Sequence, residues 1–169
     1  MKDELYQFKI SLLHAQPETW RQFQVHYDIT FEQFHTIIQA VMGWEDIHFY
    51  AFGFDKFHIL KPGMASYFMG DHCPYANEAP IHELVNRVRQ KFHYIYDFKN
   101  DWQHSIVFEK RIAVKEGMVF PLCIDGAGSC PAEDCGGIAA YNDLPHNLET
   151  TAGPFSVETV NKGLRNLEW

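Results

Sequence analysis

Two alternating aromatic runs joined by a short polar turn constrain this chain more than any other feature. Phe92, Tyr94, Tyr96 and Phe98 alternate along the first run, and Trp102, His104, Ile106 and Phe108 along the second. Period two puts each set on one face of a strand. The brief Lys99-Asn100 link allows only antiparallel pairing, and Asn tolerates the positive φ of a tight hairpin turn. A hairpin with so much aromatic surface on one side belongs at the centre of a core.

The other elements order themselves around it. Tyr6, Phe8, Ile10 and Leu12 alternate with polar residues, as do Phe23 and Val25, which predicts a first hairpin broken near Pro17. Thr30 and Gln33 form a capping-box pattern, with Ile29 and Phe34 as its hydrophobic staple. Phe34, Ile37, Ile38 and Val41 then predict a helix with one buried face, closed by Gly43 in a left-handed cap. His48 to Phe54 reads as a buried strand, with 57–60 as its partner. Residues 61–80 carry Pro62, Gly63, Gly70, Pro74 and Pro80 without a period and read as a long loop. Ile81, Leu84, Val85 and Val88 have helical spacing, 119–124 reads as a further strand, and 125–137 as loop. In the C-terminal extension, 146–169, Ser156 caps a short helix with Val157, Val160 and Leu164 inward. The expected fold is one α+β domain over 1–169. Its mixed or antiparallel sheet opens in a β-grasp-like ββαβ order, and a few helices pack on it.

Composition bounds the function. Lys and Arg number 14 against 22 Asp and Glu, a formal charge of −8, and no basic run interrupts it. Tight general binding to duplex DNA needs a basic face, so none is expected. No stretch approaches a membrane span, and Met1-Lys2-Asp3-Glu4 opens no signal segment, so a cytoplasmic location is expected. The four cysteines then read as thiols or metal ligands before disulfides.

Three ordered blocks carry a family resemblance. Trp20-Arg21 precedes the capped helix, Met42-Gly43-Trp44, His48 and Phe52. Tyr96-Asp97-Phe98 runs into Asp101-Trp102-Gln103-His104 and Glu109. Pro121-Leu122-Cys123-Ile124-Asp125-Gly126 leads to Cys130-Pro131-Ala132-Glu133-Asp134-Cys135-Gly136-Gly137 and Tyr141. Together they resemble the plasmid pRiA4b ORF-3-like family, over roughly residues 6 to 145. Two loop positions depart from its pattern. Lys99-Asn100 stands where the family usually has Gly-Asp, and Ala132 where it has a second proline. The resemblance implies an α+β domain of undefined activity from a family associated with mobile elements. Some relatives carry a transposon-resolvase label, but a family name does not fix function. The five arginines, at 21, 87, 89, 111 and 165, are scattered over different elements. They do not form the cationic cluster that holds a scissile phosphate, and a resolvase or recombinase role is disfavoured.

Candidate chemistry divides into ligand sets. Cys123, Cys130 and Cys135, with His104 on what reads as the neighbouring strand, would make a three-thiolate, one-imidazole zinc site, with Cys73 as an outlying addition. The competing reading makes Cys123 a small core hydrophobe. Asp97, Asp101, Asp125, Glu133 and Asp134 offer oxygen ligands for a hard cation, or serve as turn caps and solvated loop acids. Catalytic motifs fail: His82-Glu83-Leu84-Val85-Asn86 lacks the second His of a metalloprotease, and Gly126-Ala127-Gly128-Ser129 lacks a third glycine and a βαβ setting. The candidate cleft lies between hairpin 92–108 and loop 125–137 and comprises Trp44, His48, Asp101, Trp102, His104, Glu133, Asp134 and Tyr141. Two function classes follow. One is a binding or accessory module for a protein, peptide or small molecule. The other is a small enzyme using His104 with a thiol or a bound metal.

Overall fold

A computed structural model describes residues 4–64, 74–144 and 154–167. Its strands are β1 (Glu4–Leu12), β2 (Thr19–His26), β3 (Tyr50–Gly53), β4 (His58–Leu60), β5 (Lys91–Tyr96), β6 (Trp102–Ala113) and β7 (Leu122–Ala127). They form one seven-stranded sheet in the order β4-β3-β5-β6-β1-β2-β7. Every pairing between these strands is antiparallel, and an isolated parallel bridge joins Leu60 to Tyr75. Helices α1 (Phe31–Met42), α2 (Ile81–Leu84), α3 (Gly137–Asp143) and α4 (Val157–Arg165) complete the described elements. This is the expected α+β class with the ββαβ opening.

Both hairpins form in the register that their alternation demands. Phe8 lies opposite Phe23, and Tyr94 opposite His104. Their inward sets share one face of the sheet, as period two requires, and α1 lies across it. Phe34 holds the helix down, since its ring sits 4.8 Å from Phe8, 5.8 Å from Phe23, 5.8 Å from Phe52 and 6.3 Å from Phe92, so one side chain touches four strands. The opposite face is polar across β1, β2 and β6, with Gln7 and Gln22 both donating to Glu109, and carries a small apolar cluster of Ala51, Leu60 and Met64 at its β3–β4 end. An antiparallel sheet covered on one side has this pattern.

The caps of α1 match the sequence. The Thr30–Gln33 box is present, and Gly43 closes the helix at φ 81°. The first free amides, of Phe31 and Glu32, go to the carbonyls of Ala79 and Ala76, which pins the end of segment 61–80 to the helix N-terminus. Cys73 and the rest of 65–73 lie outside the described residues, as do 145–153.

Four local expectations change. Helix α2 stops at Leu84, because the Gln90 side chain takes the Leu84 carbonyl at 2.7 Å and the Asn86 amide at 3.1 Å; Val88 is left exposed. Strand β7 starts at Leu122 rather than 119, since Pro121 has no N–H for a ladder, and it runs on through Asp125 to Ala127. The β5–β6 turn places its positive φ at Asp97 and Asp101, not at Asn100. Asp97 caps that turn by accepting from the amides of Lys99 (3.1 Å) and Asn100 (3.4 Å). Finally, α3 occupies a stretch where no helix is legible. Helix α4 forms as expected and also seals the β7 edge: Asn161 bonds both the N–H and the C=O of Cys123 at 2.8 Å, as a neighbouring strand would.

Candidate functional site

The loop that follows β7 is tied to the rest of the fold at almost every residue. Gly128 turns at φ 74°, where a Cβ would lie 2.5 Å from the Glu18 carbonyl. Ser129 O accepts from Tyr141 Oη at 2.7 Å, and Pro131 O from Trp44 Nε1 at 2.9 Å. Glu133 accepts from the Glu45 amide at 2.9 Å and, in a short bond, from Tyr96 Oη. Burial and that carboxylate push the Tyr96 phenol's pKa up, so it stays the donor. Gly137 then packs against the Asn100 carbonyl at a place where a Cβ would be 2.9 Å away. The loop is therefore held between segment 44–48 and the β5–β6 turn.

That docking brings three segments to one point. His48 Nε2 lies 3.1 Å from Asp134 Oδ1 and 3.5 Å from Asp97 Oδ2. Neither contact has hydrogen-bond alignment, so the imidazole nitrogen is buried without a partner among the described residues. Among these residues, the His, Cys, Asp and Glu side chains that gather three ligand atoms within 4.8 Å of one another are His48, Asp97 and Asp134. Asp97 is buried and Asp134 is exposed, so the group has a protein side and a solvent side. Beside it, a cavity of about 330 Å³ is lined by Ile47, Phe49 and Phe98, with Lys61 and Lys99 at its rim. Those three apolar side chains are 57%, 48% and 37% exposed.

The remaining sequence candidates are placed differently. Trp102 and His104 are fully buried, and Trp44 and Tyr141 nearly so, so these four belong to the core and to the loop's anchorage rather than to a cleft lining. Asp101 is exposed and bonds Gln103. Asp125 lies on β7 and gives one oxygen to the Gly126 amide. Glu133 fixes the loop, whereas Asp134 reaches His48.

The cysteine–histidine set is not assembled. Strand β6 is separated from β7 by β1 and β2, so His104 is not on the strand beside Cys123. Its Nδ1 bonds the Tyr94 carbonyl at 3.2 Å, and its Nε2 has no hydrogen-bond partner, so no thiol of the described cysteines reaches it. Burial lowers its pKa to about 4, leaving the ring neutral. Cys130 instead accepts from the Arg21 guanidinium at 3.0 Å. Burial pushes its pKa up to about 11 despite that cation, and raises Cys123 to about 11 as well. Both are thiols at neutral pH, not thiolate ligands or nucleophiles.

The sequence offers Asp97 and Asp134 within one set of oxygen ligands, and His48 separately as a cleft residue near an element end. The imidazole is not joined to the two acids at that level, because the three come from segments that only the folded loop brings together. The Met42-Gly43-Trp44 block was the available signal, since Trp44 is what that loop docks on.

Comparison with known proteins agrees with the motifs. The chain is 29% identical over 161 residues to the uncharacterized protein y4hQ of Sinorhizobium fredii, covering 95% of this chain and 81% of that one. Its fold matches the crystal structure of MM3350, a protein of unknown function from Methanosarcina mazei Go1. The TM-score is 0.74 at 29% identity, with 85% of this chain and 80% of that one covered. Residues 4–161 match the family described as plasmid pRiA4b ORF-3-like protein, and the chain belongs to that family.

Proposed function

We propose that this protein is a binding module whose ligand docks in the cavity beside His48, with a divalent cation held by His48, Asp97 and Asp134. The observation that carries this is the spacing of the three ligand atoms. Two donors each ~2.0–2.2 Å from one ion, at a tetrahedral or octahedral angle, lie roughly 3.0–3.5 Å apart. The His48 contacts of 3.1 and 3.5 Å fall in that interval and lack hydrogen-bond alignment. One imidazole and two carboxylates suit Zn²⁺, Mn²⁺ or Fe²⁺ better than a soft thiophilic ion. Three protein ligands, from buried Asp97 to exposed Asp134, leave positions open towards solvent, where a donor group of the ligand would complete the shell. Ile47, Phe49 and Phe98 supply apolar surface for the rest of a peptide or small molecule.

The test is calorimetric titration of chelator-treated protein with Zn²⁺ and Mn²⁺. Stoichiometric binding that falls by about tenfold or more in His48→Ala and in Asp97→Asn is expected. Equal binding by the parent and both variants, or none by the parent, contradicts the proposal.

A further inference from the structure

A second cavity, of about 500 Å³, opens beside the first turn of α1 and is lined by Glu32, His35, Asp46, Tyr50 and Lys61 together with smaller polar groups. Its inner wall is two stacked rings. His35 on α1 and Tyr50 on β3 are each 1% exposed, with centroids 3.6 Å apart at 11°. A polar chain fixes the first ring. Gln39 Nε2 donates to Tyr94 Oη at 3.0 Å, Tyr94 Oη lies 2.7 Å from His35 Nδ1, and His35 Nε2 faces Asp46 Oδ1 at 2.9 Å. The Asp46 carboxylate can only accept, so the His35 proton sits on Nε2, towards Asp46, and Tyr94 Oη donates its hydrogen to His35 Nδ1. Burial lowers the His35 pKa and keeps the ring neutral. Asp46 is completed by Lys61 Nζ at 3.2 Å.

Two groups in this wall remain unused. The Tyr50 hydroxyl is buried without a hydrogen-bond partner, an arrangement that costs free energy unless something completes it. Glu32 makes no ion pair among the described residues. Tyr50 lines the cavity together with Glu32 and Asp46, whose carboxylates both act on its phenol, and Lys61 Nζ lies 5.6 Å from its ring centroid. With His35 neutral and Lys61 spent on Asp46, the free charge facing the cavity is that of Glu32.

We propose that this cavity binds a small organic cation, an ammonium or guanidinium group that donates to the Tyr50 oxygen and to the Glu32 carboxylate. The cavity volume lies within the range of small-molecule sites. A guanidinium, planar and with several donors, reaches two acceptors at once. The site is separate from the His48 cleft, and only Lys61 lines both cavities.

The experiment uses agmatine and n-butylammonium as probes, with propionate and inorganic phosphate as anionic controls. Binding is read by titration calorimetry and by amide shifts over 30–36. The two cations are expected to bind and to shift those amides, and the anions to do neither. Tyr50→Phe keeps the stacked ring and removes only the hydroxyl, and should weaken agmatine about fivefold or more. Glu32→Gln, at an exposed position that does not put folding at risk, should weaken it by about tenfold or more. Metal binding at His48 should be the same in both variants. Absence of cation binding at 10 mM probe (a concentration of about the ceiling for a weak specific site), equal affinity in parent and variants, or binding of the anions in place of the cations would overturn the proposal.

Discussion

His104 shows how one buried side chain sets a property of the whole fold. In the unfolded chain its imidazole titrates near 6.5, while in the fold burial holds it at about 4. Between these values the unfolded chain binds a proton that the native state does not, so stability is complete above about pH 6.5 and declines as the pH falls towards 4. Each pH unit between the two titrations is worth about 1.4 kcal/mol, which makes the loss on the order of 3 kcal/mol. His35, also lowered by burial, acts in the same direction. His104→Asn keeps a donor for the Tyr94 carbonyl and removes the titration. Urea denaturation between pH 6.5 and 4.5 should be markedly steeper in pH for the parent than for this variant; equal slopes would refute the assignment. The alternation Trp102, His104, Ile106 already put this ring on the core face, but nothing in the sequence shows that β1 and β2 lie between it and the cysteines. Strand order is a long-range property and leaves no trace in local period.

Among the elements, the loop between β7 and α3 divides its work between adjacent acids. Glu133 accepts from Tyr96 Oη and the Glu45 amide, so Glu133→Ala leaves a buried phenol without its acceptor and should cost about 1–3 kcal/mol in thermal or urea unfolding. Asp134 is exposed at φ 60°, a conformation that Asn also adopts readily, and Asp134→Asn should leave stability within about 0.5 kcal/mol while weakening the cation. The reverse pattern, with Asp134 carrying stability and Glu133 carrying binding, would show that the two roles are exchanged. The glycines here were legible as points of reversal, and at Gly128 and Gly137 the reason is a close backbone approach. Helix α3 was not legible, because Gly136 and Gly137 open it and α3 is too short for an apolar period to declare itself. The end of α2 was missed for a different reason. Gln90 stops it through a side-chain bond to Leu84, which overrides the helical spacing of Val88.

At the scale of the molecule, one antiparallel sheet carries two cavities, one of them beside α1, and no described helix is long and apolar enough to cross a membrane. A net charge of −8 with scattered arginines sets the outer field. Labelled duplex DNA at low salt should therefore show no submicromolar binding; tight, steeply salt-dependent binding would contradict this. The fold class, both hairpins and the capped helix were read from local pattern because each is an i,i+2 or i,i+4 property. The site was read only in pieces, since His48, Asp97 and Asp134 meet through a docked loop. If the proposed site is right, a divalent cation is held by these three side chains and not by the cysteine thiols. The most direct measurement is long-range ¹H–¹⁵N NMR of the histidine rings during addition of one equivalent of Zn²⁺. A large shift of His48 Nε2 with His104 unmoved is expected. A shift of His104 with loss of free thiol, or no change at His48, would contradict it.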